Sequence, residues 1–362
     1  MKDIPSPAST LGIQGYGNNN EMCSIAANGR VIIHLRFQLR IAPGLGLWVE
    51  GRNWNYLLHC RDGANAAWAK TNCTAARTST GADVNNTANT ATRVTATAAN
   101  ATISQAIVLA STQVISSVFI RRVTGTGTVR ISQDGGATWT DVTSQLTTAD
   151  YRRVNTSAQT LTNPDFRVEI QTSGDAIDVD FAQLEDNSFV SCPMLTTTAA
   201  LRRAAELPTL NTTGSAFNEG QRIIANAFFG TPASFYAEYS GNAVASHRVI
   251  GGAVTWQAEG GADGGVGQFG LSGSEANTAN SGTYGYGNWN KLAGRIDGDG
   301  SSVRLNGGAI ANSPTATPVF STYSHIGLGN NGGSTVPLNG VIRRMAIWRR
   351  RLTDGEMLEL TR

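Results

Sequence analysis

An all-β fold is what this sequence predicts: two jelly-roll-like antiparallel β-sandwiches in tandem, preceded by an extended N-terminal arm with a long strand. Three observations lead there. Only 15% of the 362 residues are charged, while 41 are glycine, a composition of short strands and many turns. Apolar residues recur with period two in short stretches separated by Gly, Thr and Asp. The length exceeds one ordinary domain, so two is the natural division.

The arm comes first, over residues 1–45. Gly12–Gly29 is rich in Gly and Asn, lacks periodicity, and reads as an extended segment. In the following run Val31, Ile33, Leu35, Phe37, Leu39 and Ile41 alternate with His34, Arg36, Gln38 and Arg40. That is one long half-buried strand, able to serve its own sandwich or the sheet edge of another subunit. The first sandwich is expected over 46–198. Val118/Ile120, Val129/Ile131, Val168/Ile170 and Ile177/Val179/Phe181 each place apolar side chains on one face. Residues 196–208 are Ala-rich and form a linker with room for one short helix stopped by Pro208. The second sandwich, 199–362, has strand signals at Ile223–Phe229, Ser234–Tyr239, Leu292–Ile296, Val303–Leu305 and His325–Leu328. It closes with an Asn339-Gly340 turn, an apolar strand, and a helix opened by Thr353-Asp354-Gly355-Glu356, a capping-box pattern.

Bulk charge removes several function classes. The net charge is +2, too small a field for nucleic-acid binding. No run approaches the ~18 apolar residues of a membrane span, and Met1–Ala8 has no apolar core of a secretory signal. Lys2, Lys70 and Lys291 are the three lysines, so arginine supplies 25 of the 28 cations. Arginine suits fixed bidentate contacts, and a GC-rich genome produces the same bias. Cys23, Cys60, Cys73 and Cys192 lack metal-ligand spacing and read as free thiols, with a Cys60–Cys73 bridge the alternative. No cofactor is expected.

Catalytic patterns are sparse. Asp178 and Asp180 lie on one face of a strand, with Glu185 following; their face is opposite Ile177, Val179 and Phe181, and so is expected to be solvated. His59 and Cys60 would point to opposite faces of a strand. Asp297-Gly298-Asp299-Gly300 reads as a hairpin turn; Asp297 and Asp299 alone are too few oxygens for calcium. Tyr284, Tyr286 and Trp289, in a glycine-dense region, are candidates for stacking on sugar rings or for core. Arg343, Arg344, Arg349, Arg350 and Arg351 flank the last strand, as an interface for acidic groups or as a solvated face with local carboxylate pairs.

Three resemblances add to this. Gly46-Leu-Trp-Val-Glu-Gly-Arg-Asn-Trp-Asn-Tyr-Leu-Leu and Asn65-Ala-Ala-Trp-Ala-Lys-Thr-Asn resemble the opening of carbohydrate-binding-module-like domains in bacteriophage virion proteins. Ser117-Val-Phe-Ile-Arg-Arg, Tyr151-Arg-Arg-Val and Val179-Asp-Phe-Ala-Gln-Leu-Glu follow in the same order. Trp54 departs from that pattern. Within this region Ser132, Asp134, Gly136 and Trp139 resemble an Asp-box, a structural hairpin signature repeated in sialidases. Lys291-Leu-Ala-Gly-Arg-Ile, Val303-Arg-Leu-Asn-Gly, Ile326-Gly-Leu-Gly, Leu338-Asn-Gly-Val-Ile and the capped helix resemble laminin-G-like, concanavalin-A-like sandwiches. The resemblances imply a non-enzymatic bacteriophage virion protein, a tail fibre, spike or capsid-decorating component, assembled in the host cytoplasm. It would attach to other virion proteins through residues 1–45, bind host-surface polysaccharide, and form a homo-oligomer, with a trimer favoured. A purely structural decoration or cement role is the alternative, and a polysaccharide depolymerase a more distant one.

Overall fold

The computed structural model describes residues 13–14, 22–25, 31–34, 41–42, 46–78, 83–84, 88–203, 209–211, 232–241, 247–252, 256–261, 266–271, 287–297, 300–313, 325–329, 337–348 and 350–362. Strands dominate, with one α-helix among these residues, Asp354–Thr361. The chain divides into two compact units, one centred on 53–203, the other on 204–362 joined by 36–52.

The first unit is a sandwich of two antiparallel sheets. One runs Thr140–Asp141, Val129–Ser132, Asp165–Ile170, Ala101–Ala106, Ala69–Thr71; the other runs Arg152–Asn155, Thr112–Thr124, Ala176–Glu185, Thr92–Ala96, Cys73–Arg77. Period two does what it predicts over most of this length. Val118, Ile120, Val129, Ile131, Val168, Ile170, Ile177 and Val179 meet in one core between the sheets, joined by Leu57, Trp68 and Phe166. Removing this apolar area from water is the main stabilising contribution.

Phe181 is the exception. It lies in the left-handed region, with φ of 43°, where the register against Thr112–Thr124 slips between Ser117 and Phe119. This bulge turns Phe181 to the outer face, where it packs with Phe119, Cys60 and Val84, while Ala182 and Leu184 rejoin the inner core. His59 and Cys60 sit in a tight turn rather than on a strand, His59 with φ of 47°.

The second unit is also a two-sheet sandwich. A seven-stranded sheet runs Ala311–Ser313, Gly300–Leu305, Asn290–Asp297, Ala233–Gly241, Gly340–Trp348, Gly46–Val49, Ile41–Ala42. A six-stranded sheet holds Ile13–Gln14, Thr209–Asn211, His325–Leu328, His247–Gly252, Trp256–Gly261 and Val266–Leu271. Phe235, Ala237, Tyr239, Leu292, Val303 and Leu305 are buried on the inner face of the larger sheet. Its other face receives the helix, through Leu352 and Met357 against Tyr236 and Ala293. The helix begins with the expected capping box: the Glu356 N–H donates to the Thr353 hydroxyl at 3.2 Å, and the Thr353 N–H donates to the Glu356 carboxylate at 2.8 Å.

Several boundaries differ from the sequence expectation. Gly46–Val49, expected to open the first sandwich, pairs instead with Gly340–Trp348 of the second unit. The Gly51 N–H donates to the Asn339 side chain, 288 residues away. Asn339 has φ of 50°, and Gly340 after it must lack a side chain, because a Cβ there would lie 1.9 Å from the Ser240 carbonyl. The supposed linker contributes a strand, Leu201–Arg203, to the first unit, paired with Asn53–Asn55. The arm contains paired strands: Met22–Ile25 with Val31–His34, Ile13–Gln14 with Thr209–Asn211, and Ile41–Ala42 with Gly46–Val49. The middle of the long strand, residues 35–40, and the signal at Ile223–Phe229 lie outside the described residues.

Candidate functional site

Each unit presents its own chemistry on the outer face of one of its sheets.

In the second unit the aromatic candidates reduce to Trp289; Tyr284 and Tyr286 lie outside the described residues. Trp289 is half-buried beside the start of Asn290–Asp297. The Arg343 guanidinium covers one face of its ring, 3.6 Å from the centroid, a cation–π contact. Arg343 also donates to Glu238 at 2.9 Å, and Arg344 lies 3.6 Å from the same nearly buried carboxylate. Arg350 grips Glu356 through two N–H donors. That pair and the Thr353 backbone hold the Glu356 carboxyl down at about 2. The arginines proposed as an interface therefore spend donors on carboxylates of their own chain; Arg351 is exposed and Arg349 lies outside the described residues. Asp297 and Gly300 pair across the expected hairpin, while Asp299 and the Asp297 side chain are not described.

In the first unit the Asp-box turn has the geometry its residues call for. Ser132 donates to Asp134 at 2.7 Å, and Asp134 accepts from the Thr138 N–H at 2.9 Å. Gly136 has φ of 91°, and its missing Cβ is replaced by the Trp139 ring, which would approach to 2.9 Å. Arg130 stacks over that ring at 4.4 Å. Everything in this turn is spent on the turn itself.

The carboxylates expected to be solvated are not. Asp178 is 0% exposed and Asp180 1%. The sheet's outer face is covered around Asp180, where Phe119, Phe181, Cys60 and Val84 pack with Leu195. Asp180 accepts two N–H donors from Arg61, at 2.7 and 2.8 Å, and Arg61 also stacks on Phe181 at 4.2 Å. Burial pushes the Asp180 carboxyl up, and the Arg61 fork opposes it. Glu185 is buried as well, accepting from Asn53 and from Ser191, and burial pushes it up. Period two alone gave the face of these residues; that loops fold back over it is a tertiary fact.

Tyr151 lies half-buried beside this network, its ring 4.8 Å from the Arg121 guanidinium. Burial raises its phenol well above the ordinary range, assisted by the Asp178 carboxylate, so it stays protonated and is a poor nucleophile. Cys60, Cys73 and Cys192 are free thiols, not bridged. Burial pushes the Cys60 thiol up to about 11. Cys60, Arg61, Trp68 and Asp180 line a small cavity with room for about one water molecule, too small for a saccharide. Among the described residues no group of three His, Cys, Asp or Glu side chains is placed to hold a metal.

Residues 232–357 match the profile of the concanavalin A-like lectin/glucanases superfamily, the sandwich that these strands build. No curated protein sequence matches the chain. Among solved structures, Trypanosoma rangeli sialidase is 13% identical over 43% of this chain, with a TM-score of 0.32. The match spans only 25% of that enzyme's chain. The CBM22-1 xylan-binding domain of Paenibacillus barcinonensis Xyn10C is 13% identical over 38% of this chain and 95% of its own, TM-score 0.28. The tandem CBM22-1-CBM22-2 segment of the same protein is 12% identical over 83% of this chain and 98% of its own, TM-score 0.27. Likeness this distant assigns no role.

Proposed function

We propose that this protein is a binding protein of a bacteriophage virion, not a catalyst, and that its sandwiches hold host-surface polysaccharide. The observation that carries the sugar-binding part of the reading is the match of residues 232–357 to the concanavalin A-like lectin/glucanases superfamily. The first sandwich supports it by how its carboxylates are used. Glycoside hydrolysis needs two carboxyl groups open to the glycosidic oxygen and to water, whereas Asp178 and Asp180 are buried and held by guanidinium donors. The resemblance of 46–195 to modules of phage virion proteins supports the placement on the particle, with residues 1–45 as the attachment segment. Repeated particle sites and weak individual sugar contacts favour a homotrimer.

A glycan array probed with the full chain tests the reading. Retention on at least one bacterial surface polysaccharide, with no fall in polymer length on incubation, is expected. Binding to no glycan would leave structural decoration of the particle as the better account, and a fall in polymer length would make the protein a depolymerase. The fragment 207–362 is unsuitable, because it lacks the Gly46–Val49 strand of its own sheet.

A further inference from the structure

On the outer face of the first unit's second sheet the register sets residues in two rows. The upper row crosses the sheet as Ala76, Arg93, Asp178 and Arg121, each paired with the next in register, and Tyr151 continues it beyond Arg121. The next row is Thr74, Thr95, Ala176 and Thr124. Ala76, Thr74 and Thr124 are exposed, Thr95 is half-buried and Ala176 is buried. This strip is a floor of small residues and hydroxyls beside two arginines.

The charge on the strip is unbalanced. Arg93 donates to Asp178 at 2.9 and 3.1 Å, and Arg121 donates to the same carboxylate at 2.6 Å. One buried carboxylate therefore serves two guanidinium groups. The nearest other carboxylates are engaged elsewhere: Asp180 by Arg61, Asp83 by the Thr90 and Ala91 amides, and Asp62 beside Arg77 at 3.6 Å. Arg93 and Arg121 are 39% and 19% exposed. Nη1 of Arg93, and Nε and Nη1 of Arg121, have no partner among the described residues. Their heads are fixed by Asp178 and, for Arg121, by the Tyr151 ring, so little rotamer entropy remains to be lost on binding.

We propose that this strip binds the carboxylate of an acidic saccharide, a hexuronate unit of a surface polysaccharide. A planar carboxylate matches the guanidinium fork, and the threonine hydroxyls exchange hydrogen bonds with sugar hydroxyls. The inference rests on the glycan-binding reading and narrows it to an anionic sugar at a named place.

The test measures binding of the full chain to polygalacturonate and to its fully methyl-esterified form, which keeps the sugar backbone but caps each carboxylate as a neutral ester, by titration calorimetry at low salt. Binding to the acid and not to the ester is expected. Ala76→Glu sets a carboxylate directly across from Arg93 to compete with the ligand, and Ala76→Lys adds a third cation. Ala76 is exposed on the edge strand of its sheet, so both are expected to fold, with thermal unfolding as the check. A loss of about fivefold for Ala76→Glu and a gain of about twofold for Ala76→Lys are expected, the scale of one partly screened surface charge. Equal binding of acid and ester, or wild-type affinity in both variants, would overturn the inference. If the acid fails while the array shows a neutral glycan bound, this inference falls and the glycan-binding reading stands. If no glycan binds, both fall.

Discussion

The two sandwiches use the same pair of groups, guanidinium and carboxylate, to opposite ends. In the first, Arg61 and Asp180 are buried together under loops, and Asp178 is buried beneath Arg93 and Arg121. In the second, Arg344 and Arg350 reach Glu238 and Glu356 from solvent, the Arg344 side chain being 74% exposed. Removing one member of a buried pair leaves an uncompensated charge out of water, whereas an exposed pair exchanges its partner for water at little cost. The buried set therefore fixes the first sandwich, and the exposed arginines of the second, Arg344 and Arg350, are replaceable, Arg343 still holding the nearly buried Glu238.

Substitutions can break or sharpen that contrast. The largest effect is expected from Arg61→Ala, which strands Asp180: a loss of about 3–5 kcal/mol, read as an early first-sandwich transition in denaturant. Gly136→Ala comes next. It forces a side chain into the left-handed region against Trp139, costing about 1–3 kcal/mol by the same measurement. Thr353→Ala removes the helix N-cap and should lower second-sandwich stability by about 1 kcal/mol. Arg344→Ala is expected within about 0.5 kcal/mol of wild type; a loss as large as that of Arg61→Ala would erase the contrast.

pH separates the units too. The Glu356 carboxyl is depressed in the fold to about 2, so its contribution is present above the ordinary carboxylate pKa. It is lost as pH falls from about 4.5 toward 2. Fluorescence of the second sandwich across that window should shift less in Glu356→Gln than in wild type. Cys60, with its thiol at about 11 and fully buried, should resist iodoacetamide at pH 8 until the first sandwich unfolds.

Much of the fold was legible because its signals are local. Alternation placed Val118, Ile120, Ile177 and Val179 in the core, and the Thr353–Glu356 spacing gave the helix cap. The candidate site was less legible. Arg93 alone carries no local signal; it gains meaning only because register sets it beside Asp178, with Arg121 on the other side. The one available signal was the Asp178/Asp180 alternation, and it pointed to solvent because nothing local says that loops return over that face.

The sequence by itself determined that the chain is built of short strands with one buried face each, since period two and turn residues are properties of neighbouring side chains. Tertiary structure decided the rest. It assigned Gly46–Val49 to a partner strand at Gly340–Trp348, turned Phe181 outward at a bulge, and buried Asp178 and Asp180 with arginines. These outcomes depend on which strands pair and which loops cover them, and those are settled by packing between residues far apart in the chain, where local pattern carries no information.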